Sequence, residues 1–132
     1  MTMKAAVRYY SRSGNTKAVA EAIARAAGVT AVSVDGADAA LTEPAVVLFI
    51  GGALYAYGLD GHMKEYLKTL KKENVKKAVI FSTSWISRHS IDLIRRALTE
   101  AGIPAAEETF YVRNAPNAEQ LKQAEAFAGK FL

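Results

Sequence analysis

Apolar positions along this chain follow two rhythms in turn, and their alternation predicts a fold. Short runs rich in Val, Ile, Phe and Tyr occupy residues 4–10, 30–34, 45–50, 77–82 and 105–112, with the length and composition of β-strands. Between them the spacing becomes helical. Ala18, Val19, Ala22, Ile23 and Ala26 form one stripe, and Met63, Tyr66, Leu67 and Leu70 a second. Ile91, Ile94, Leu98 and Ala101 form a third, stopped by Gly102 and Pro104, and Leu121, Ala124, Ala128 and Phe131 form the last. Residues 35–44 support a weak helix at best, because Asp35-Gly36 and Pro44 bracket few helix-forming residues.

Strands alternating with helices predict an α/β fold, a parallel sheet covered by helices on both faces. The run Val46-Val47-Leu48-Phe49-Ile50 is apolar on both sides and belongs at the sheet centre. Right-handed crossovers and the chain length favour the order 2-1-3-4-5 in a single domain over residues 1–132. That order sets the loops after the first, third and fourth strands side by side, at the switch point where open sheets bind ligands.

Composition narrows the chemistry. The 132 residues are 51% hydrophobic, enough for one core hiding roughly two-thirds of the extended surface. Cys is absent, which excludes disulfides, thiolate metal sites and cysteine nucleophiles, including the phosphate loop of phosphotyrosine phosphatases. The net charge of +4 is small for a nucleic-acid binder. Lys64, Lys68, Lys71, Lys72, Lys76 and Lys77 gather around the end of one predicted helix and the next turn, a solvated helix terminus. The apolar run at 45–50 is far shorter than the roughly 20 residues of a membrane span. The opening Met1-Thr2-Met3-Lys4 lacks a secretory pattern, so the expected location is cytoplasmic. His62 and His89 are separated singletons without metal-ligand spacing and read as surface residues. No Ser, His and acid constellation is legible.

The first loop, Ser11-Arg12-Ser13-Gly14-Asn15-Thr16, lies between a strand and a helix start. Helix N-termini present unpaired amides and a positive dipole end, Gly14 lets backbone approach an anion, and hydroxyls of Ser11, Ser13 and Thr16 can donate. The second loop carries glycines and the aromatic pair Tyr55 and Tyr57 around Ala56 and Gly58, suited to a flat, partly apolar ring. The third holds Thr83, Ser84 and Trp85, the sole Trp, offering hydrogen bonds and stacking area. The Gly-Lys-Ser/Thr ending of a Walker motif is absent. Arg8, Tyr9 and Tyr10 stand where a response-regulator receiver requires acidic residues.

The run from Ser11 to Thr16 resembles the phosphate loop of the flavodoxin family, in which Ser/Thr, any residue, Ser/Thr, Gly, any residue and Thr grip the FMN phosphate. All fixed positions are met, and strand–helix order is similar to the family's throughout. The resemblance implies a flavodoxin-like three-layer sandwich, a five-stranded parallel sheet holding one FMN non-covalently. It implies cofactor contacts from Ser11, Arg12, Ser13, Gly14, Asn15 and Thr16, from Tyr55, Ala56, Tyr57 and Gly58 beside the ring, and from Thr83, Ser84 and Trp85 on its other face and polar edge. The peptide that reorients on reduction would be that of Ala56 or Gly58.

By the same resemblance the function is electron transfer, with a reductase and an electron acceptor as partners, in a monomer or weak homodimer. Alternatives are a small FMN-dependent oxidoreductase acting on quinone or protoporphyrinogen, since the second loop faintly resembles that of flavodoxin-like protoporphyrinogen oxidases, or a cofactor-free protein-binding domain. The basic charge balance, with Arg12, Arg88 and Lys64 near the site, predicts a reduced flavin less disfavoured than in acidic flavodoxins.

Overall fold

The computed structural model describes residues 3–55, 58–84 and 87–132. Its main sheet has the strands β1 (Met3–Tyr9), β2 (Ala31–Ser33), β3 (Ala45–Gly52), β6 (Val75–Ser84) and β7 (Phe110–Arg113), all parallel, in the order β2-β1-β3-β6-β7. In terms of the main-sheet strands alone this is 2-1-3-4-5, with β3 central as its two apolar faces require. The two short remaining strands, β4 (Leu54–Tyr55) and β5 (Gly58–Leu59), pair antiparallel in a hairpin after β3.

Strand alternation divides the core in two. Val47 and Phe49 of β3, with Val79 and Phe81 of β6, face α1 (Asn15–Ala27) and α4 (Ala118–Gly129), meeting Val19, Ile23, Ala124 and Phe127. Leu48 and Ile50, with Ala78 and Ile80, face α2 (Gly61–Thr69) and α3 (His89–Glu100), meeting Met63, Leu67, Ile94 and Leu98. Each central strand is thus buried on both sides by the same period-two rule that would leave a one-sided sheet half polar. Gly51 sits opposite Phe81, where a Cβ would lie 2.3 Å from the ring, so close packing at this point requires glycine.

Helix ends follow local chemistry. Gly28 closes α1 in the left-handed region (φ 71°), where glycine bears no Cβ penalty. Asn117 and Gln120 form a reciprocal capping box at α4, with Gln120 N donating to Asn117 Oδ1 at 2.8 Å and Asn117 N to Gln120 Oε1 at 3.0 Å.

Several expectations are corrected. Residues 35–44 form turns and bends, not a helix. The Ala39 carbonyl there accepts from the buried Arg8 Nε and from Tyr66 Oη, both at 2.7 Å, which pins the segment onto the sheet in place of helical packing. The strand expected at 105–112 is shorter: Ala105 makes an isolated bridge to Ala78, and continuous pairing starts only at Phe110. Val46 and Ala26 are exposed. Phe131 lies past α4 yet packs edge-on against Phe49 and Phe127. Among the described residues no helix is long and apolar enough to cross a membrane.

Candidate functional site

The turn after β1 is shaped by Gly14, at φ 94° and ψ −6°, which precedes the first helical residue of α1. A Cβ there would meet nothing within 4 Å, so glycine is required by backbone conformation and the space above it is open. Gly14 N donates to Ser11 Oγ at 2.9 Å, folding the turn on itself. The first turn of α1 has no acidic residue to compete for its amides, and no side chain caps Gly14's helix end. These are the features of an anion seat: amides without helical acceptors, a positive dipole end and neighbouring hydroxyls.

The seat is tied to β6 by one buried bond. Thr16 Oγ1 and Thr83 Oγ1 lie 2.6 Å apart, at 1% and 2% exposure. One hydroxyl uses its proton in this bond, and the other keeps a proton to offer elsewhere. Farther along β6, Ser82 Oγ donates to the Gly52 carbonyl at 2.6 Å and lies 2.6 Å from Ser90 Oγ, joining β3, β6 and the start of α3. Thr83 and Ser84, expected in a loop, are the last residues of β6, so sheet hydrogen bonding holds them in place.

A cavity of about 170 Å³ opens between these elements, lined by Ser13, Asn15, Tyr55, Thr83 and Ser84 together with Ala53, Leu54 and Asn114. The structure therefore brings together members of all three expected loops. Gly58 stands in β5, opposite Tyr55. Ala56, Tyr57 and Trp85 lie outside the described residues. Size alone does not select this cavity: a larger one of about 460 Å³ between α2 and α3, walled by Leu59, Leu67, Leu93, Lys64 and Lys68, contains no part of the anion seat.

Arg12 occupies a place the sequence did not suggest. Its Nε and Nη2 donate to Asp60 Oδ2 at 3.1 and 2.5 Å, its guanidinium lies 4.0 Å from the Tyr55 ring centroid, and its amide donates to Tyr55 Oη at 3.0 Å. Asp60 caps α2, accepting from His62 N at 2.8 Å, and its Oδ1 also lies 2.8 Å from His62 Nδ1. His62 stacks on Tyr10 with centroids 5.0 Å apart. Burial alone would raise the Asp60 carboxyl, but hydrogen bonds from Arg12 and from the His62 amide and ring hold it below its ordinary pKa. The bond to Asp60 raises the Arg12 guanidinium. Burial raises the Tyr55 phenol, against the opposing pull of the Arg12 amide and charge.

Two readings of charge change accordingly. Arg12 is paired, so the positive charge expected beside the site is offset by the buried Asp60 carboxylate. Lys64 belongs to the first half of α2, with Nζ 3.6 Å from where a Cβ on Gly58 would stand, and not to the helix end; Lys68 is the basic residue of the last turn. His62 is a surface residue as expected, but it is tied into the cluster on the site's rim. Arg88 lies over the Tyr111 ring at 4.9 Å.

Asp60 was legible in principle, as an acidic residue just ahead of the stripe beginning at Met63, an N-cap signature. Asn114 was not: its place on the cavity wall follows from a left-handed turn after β7 (φ 66°), a conformation Asn tolerates.

A parallel sheet in this order, with a hydroxyl-rich strand-to-helix turn at its carboxyl edge, defines the flavodoxin-like class of α/β proteins. The chain belongs to the flavodoxin domain family, which it matches over residues 6–131. A flavodoxin from the domain Archaea superposes with a TM-score of 0.87 at 25% identity, covering 98% of this chain and 96% of that one. Flavodoxin 2 from Bacillus cereus, at 20% identity and TM-score 0.81, covers 97% of each and shares the fold. Diflavin flavoprotein A 2 of Thermosynechococcus vestitus is 29% identical over 139 residues, 97% of this chain. The chain spans 24% of the length of that relative.

Proposed function

We propose that this chain binds one FMN non-covalently at the carboxyl edge of its sheet and carries electrons between a reductase and an acceptor protein. The observation that carries the reading is the junction at Thr16 and Thr83, which joins a glycine-shaped turn at the start of α1 to the wall of a cavity lined by residues at or just beyond the carboxyl ends of β1, β3, β6 and β7. The residues present fit a phosphate ester: Gly14 leaves open space above the turn, and the hydroxyl residues Ser11, Ser13 and Thr16 flank it along the chain. Family membership and the flavoprotein relative point the same way.

In this reading the hydroxyls between Ser11 and Thr16, with the amides at the start of α1, hold the phosphate end. Tyr55 and Gly58 contribute to one side of the ring, and Thr83 and Ser84 to its other face and polar edge; contacts from Ala56, Tyr57 and Trp85 remain part of the proposal from sequence alone. A flavin, when bound, supplies one- and two-electron chemistry, and the protein contributes binding, orientation and exclusion of water.

Titration of the purified chain with FMN, followed by absorption and flavin fluorescence, tests the proposal. Saturation at one FMN per chain, with FAD bound more weakly, is the expected result; a chain that stays colourless in excess FMN refutes it. Reduction of the loaded protein followed by addition of quinone or porphyrinogen then separates roles. A carrier exchanges electrons once per flavin, whereas catalytic turnover would make the protein a small oxidoreductase.

A further inference from the structure

Asp60 is a charged side chain at only 7% exposure, and the proposed FMN site gives it no direct task. Resting on that flavin reading, we propose that Asp60 is a positioning residue: it clamps Arg12 against Tyr55, so that the arginine braces the ring-side wall of the site and is not a ligand of the phosphate ester.

Both described oxygens of the carboxylate are committed. Oδ2 takes two guanidinium N–H groups, and Oδ1 takes the amide that opens α2 and faces the His62 ring. The clamp is therefore anchored in a helix start and not in a mobile side chain. Through it, the guanidinium is held over Tyr55 while the Arg12 amide fixes the phenol oxygen. Two contacts thus join the turn after β1 to the β4–β5 hairpin, whose Tyr55 lines the same cavity as Ser13, Asn15 and Thr83, and the ion pair joins it to the start of α2. The carboxylate takes the Nε–H and one Nη2–H of the guanidinium and offsets its charge, so the net attraction left for an ester is reduced. Ester neutralisation then falls to the start of α1, where no acidic residue opposes it. A wall ordered before the ligand arrives lowers the ordering cost of binding, and that benefit concerns the ring, which FMN and riboflavin share.

The test compares dissociation constants of FMN and of riboflavin, by fluorescence quenching, for the full chain and for Arg12→Gln, Asp60→Asn and the double variant. Asn retains a capping oxygen for α2, and circular dichroism verifies each fold. The expected result is that each single variant weakens both flavins by the same factor, on the order of tenfold, and that the double variant is no worse than either single. Loss of FMN affinity with riboflavin unchanged in Arg12→Gln would make the arginine a phosphate ligand and overturn the proposal; four equal affinities would overturn it too.

Should the unmodified chain bind neither flavin, the functional reading fails, and the clamp is judged by carbon-detected titration of Asp60. A carboxyl midpoint below the ordinary range that returns to it in Arg12→Gln supports the clamp. An ordinary midpoint in the unmodified chain refutes it.

Discussion

Replacing Thr16 or Thr83 by valine removes one end of a buried hydrogen bond without opening a cavity, because the two side chains have nearly equal volume. The oxygens are 2.6 Å apart in residues 1% and 2% exposed, so a hydroxyl left behind has little water to turn to. Stranding a buried hydroxyl costs about 1–3 kcal/mol. Against a domain stability of roughly 5–15 kcal/mol this is a measurable fraction. At about 4 °C per kcal/mol for a chain of this size, each single variant should melt some degrees lower. The double variant replaces both polar ends with methyl groups and leaves no orphan, so it should recover most of the loss. The favourable coupling energy is the sum of the two single losses less the small loss in the double variant, about 2–6 kcal/mol. Urea unfolding followed by circular dichroism measures all four proteins. Strict additivity, with the double variant as damaged as the sum of the singles, would show that the two hydroxyls do not satisfy each other. If the proposed FMN site is correct, the stable double variant should also bind FMN more weakly, because the second hydroxyl proton is gone.

The other predictions concern backbone, packing and pH. Gly14→Ala should destabilise by roughly 1–2 kcal/mol through its positive φ alone, since no atom lies near the new methyl; Gly14→Asn should cost less, and an alanine variant of unchanged urea midpoint would contradict the turn's conformation. Gly51→Ala drives a Cβ into the Phe81 ring and should cost about 1–3 kcal/mol, with partial recovery in the Phe81→Leu background as the measured signature of that contact. Asp60, held below its ordinary pKa, contributes stability that is present above the unfolded carboxylate value of about 3.9 and lost as pH falls through the folded one. Urea midpoints measured across that range should fall less steeply in Asp60→Asn than in the unmodified chain, and parallel curves would refute the assignment.

Much of the architecture can be read without coordinates because its causes are local. Period-two runs of β-branched and aromatic residues, helical stripes between them and the glycine-punctuated turn at 11–16 each depend on neighbours a few positions away. The two-faced apolar run around Leu48 even located the central strand, since only a strand covered on both sides can be apolar throughout. Failures came where tertiary contacts override a local preference. Segment 35–44 forms turns held by the side chains of Arg8 and Tyr66, both distant in sequence, and the loops after β3 and β6 are partly ordered as hairpin and strand extension.

Residue types suited to an anion and a flat ring were therefore determined by the sequence alone, together with the sheet edge on which they stand. Their partners were decided by the tertiary structure. Thr16 meets Thr83 across 67 residues and Arg12 meets Asp60 across 48, distances at which no periodicity carries information. Whether an arginine in such a turn faces an anion or a carboxylate depends on how α2 is set against the sheet, and that is fixed by packing of Met63, Tyr66 and Leu67 in the core.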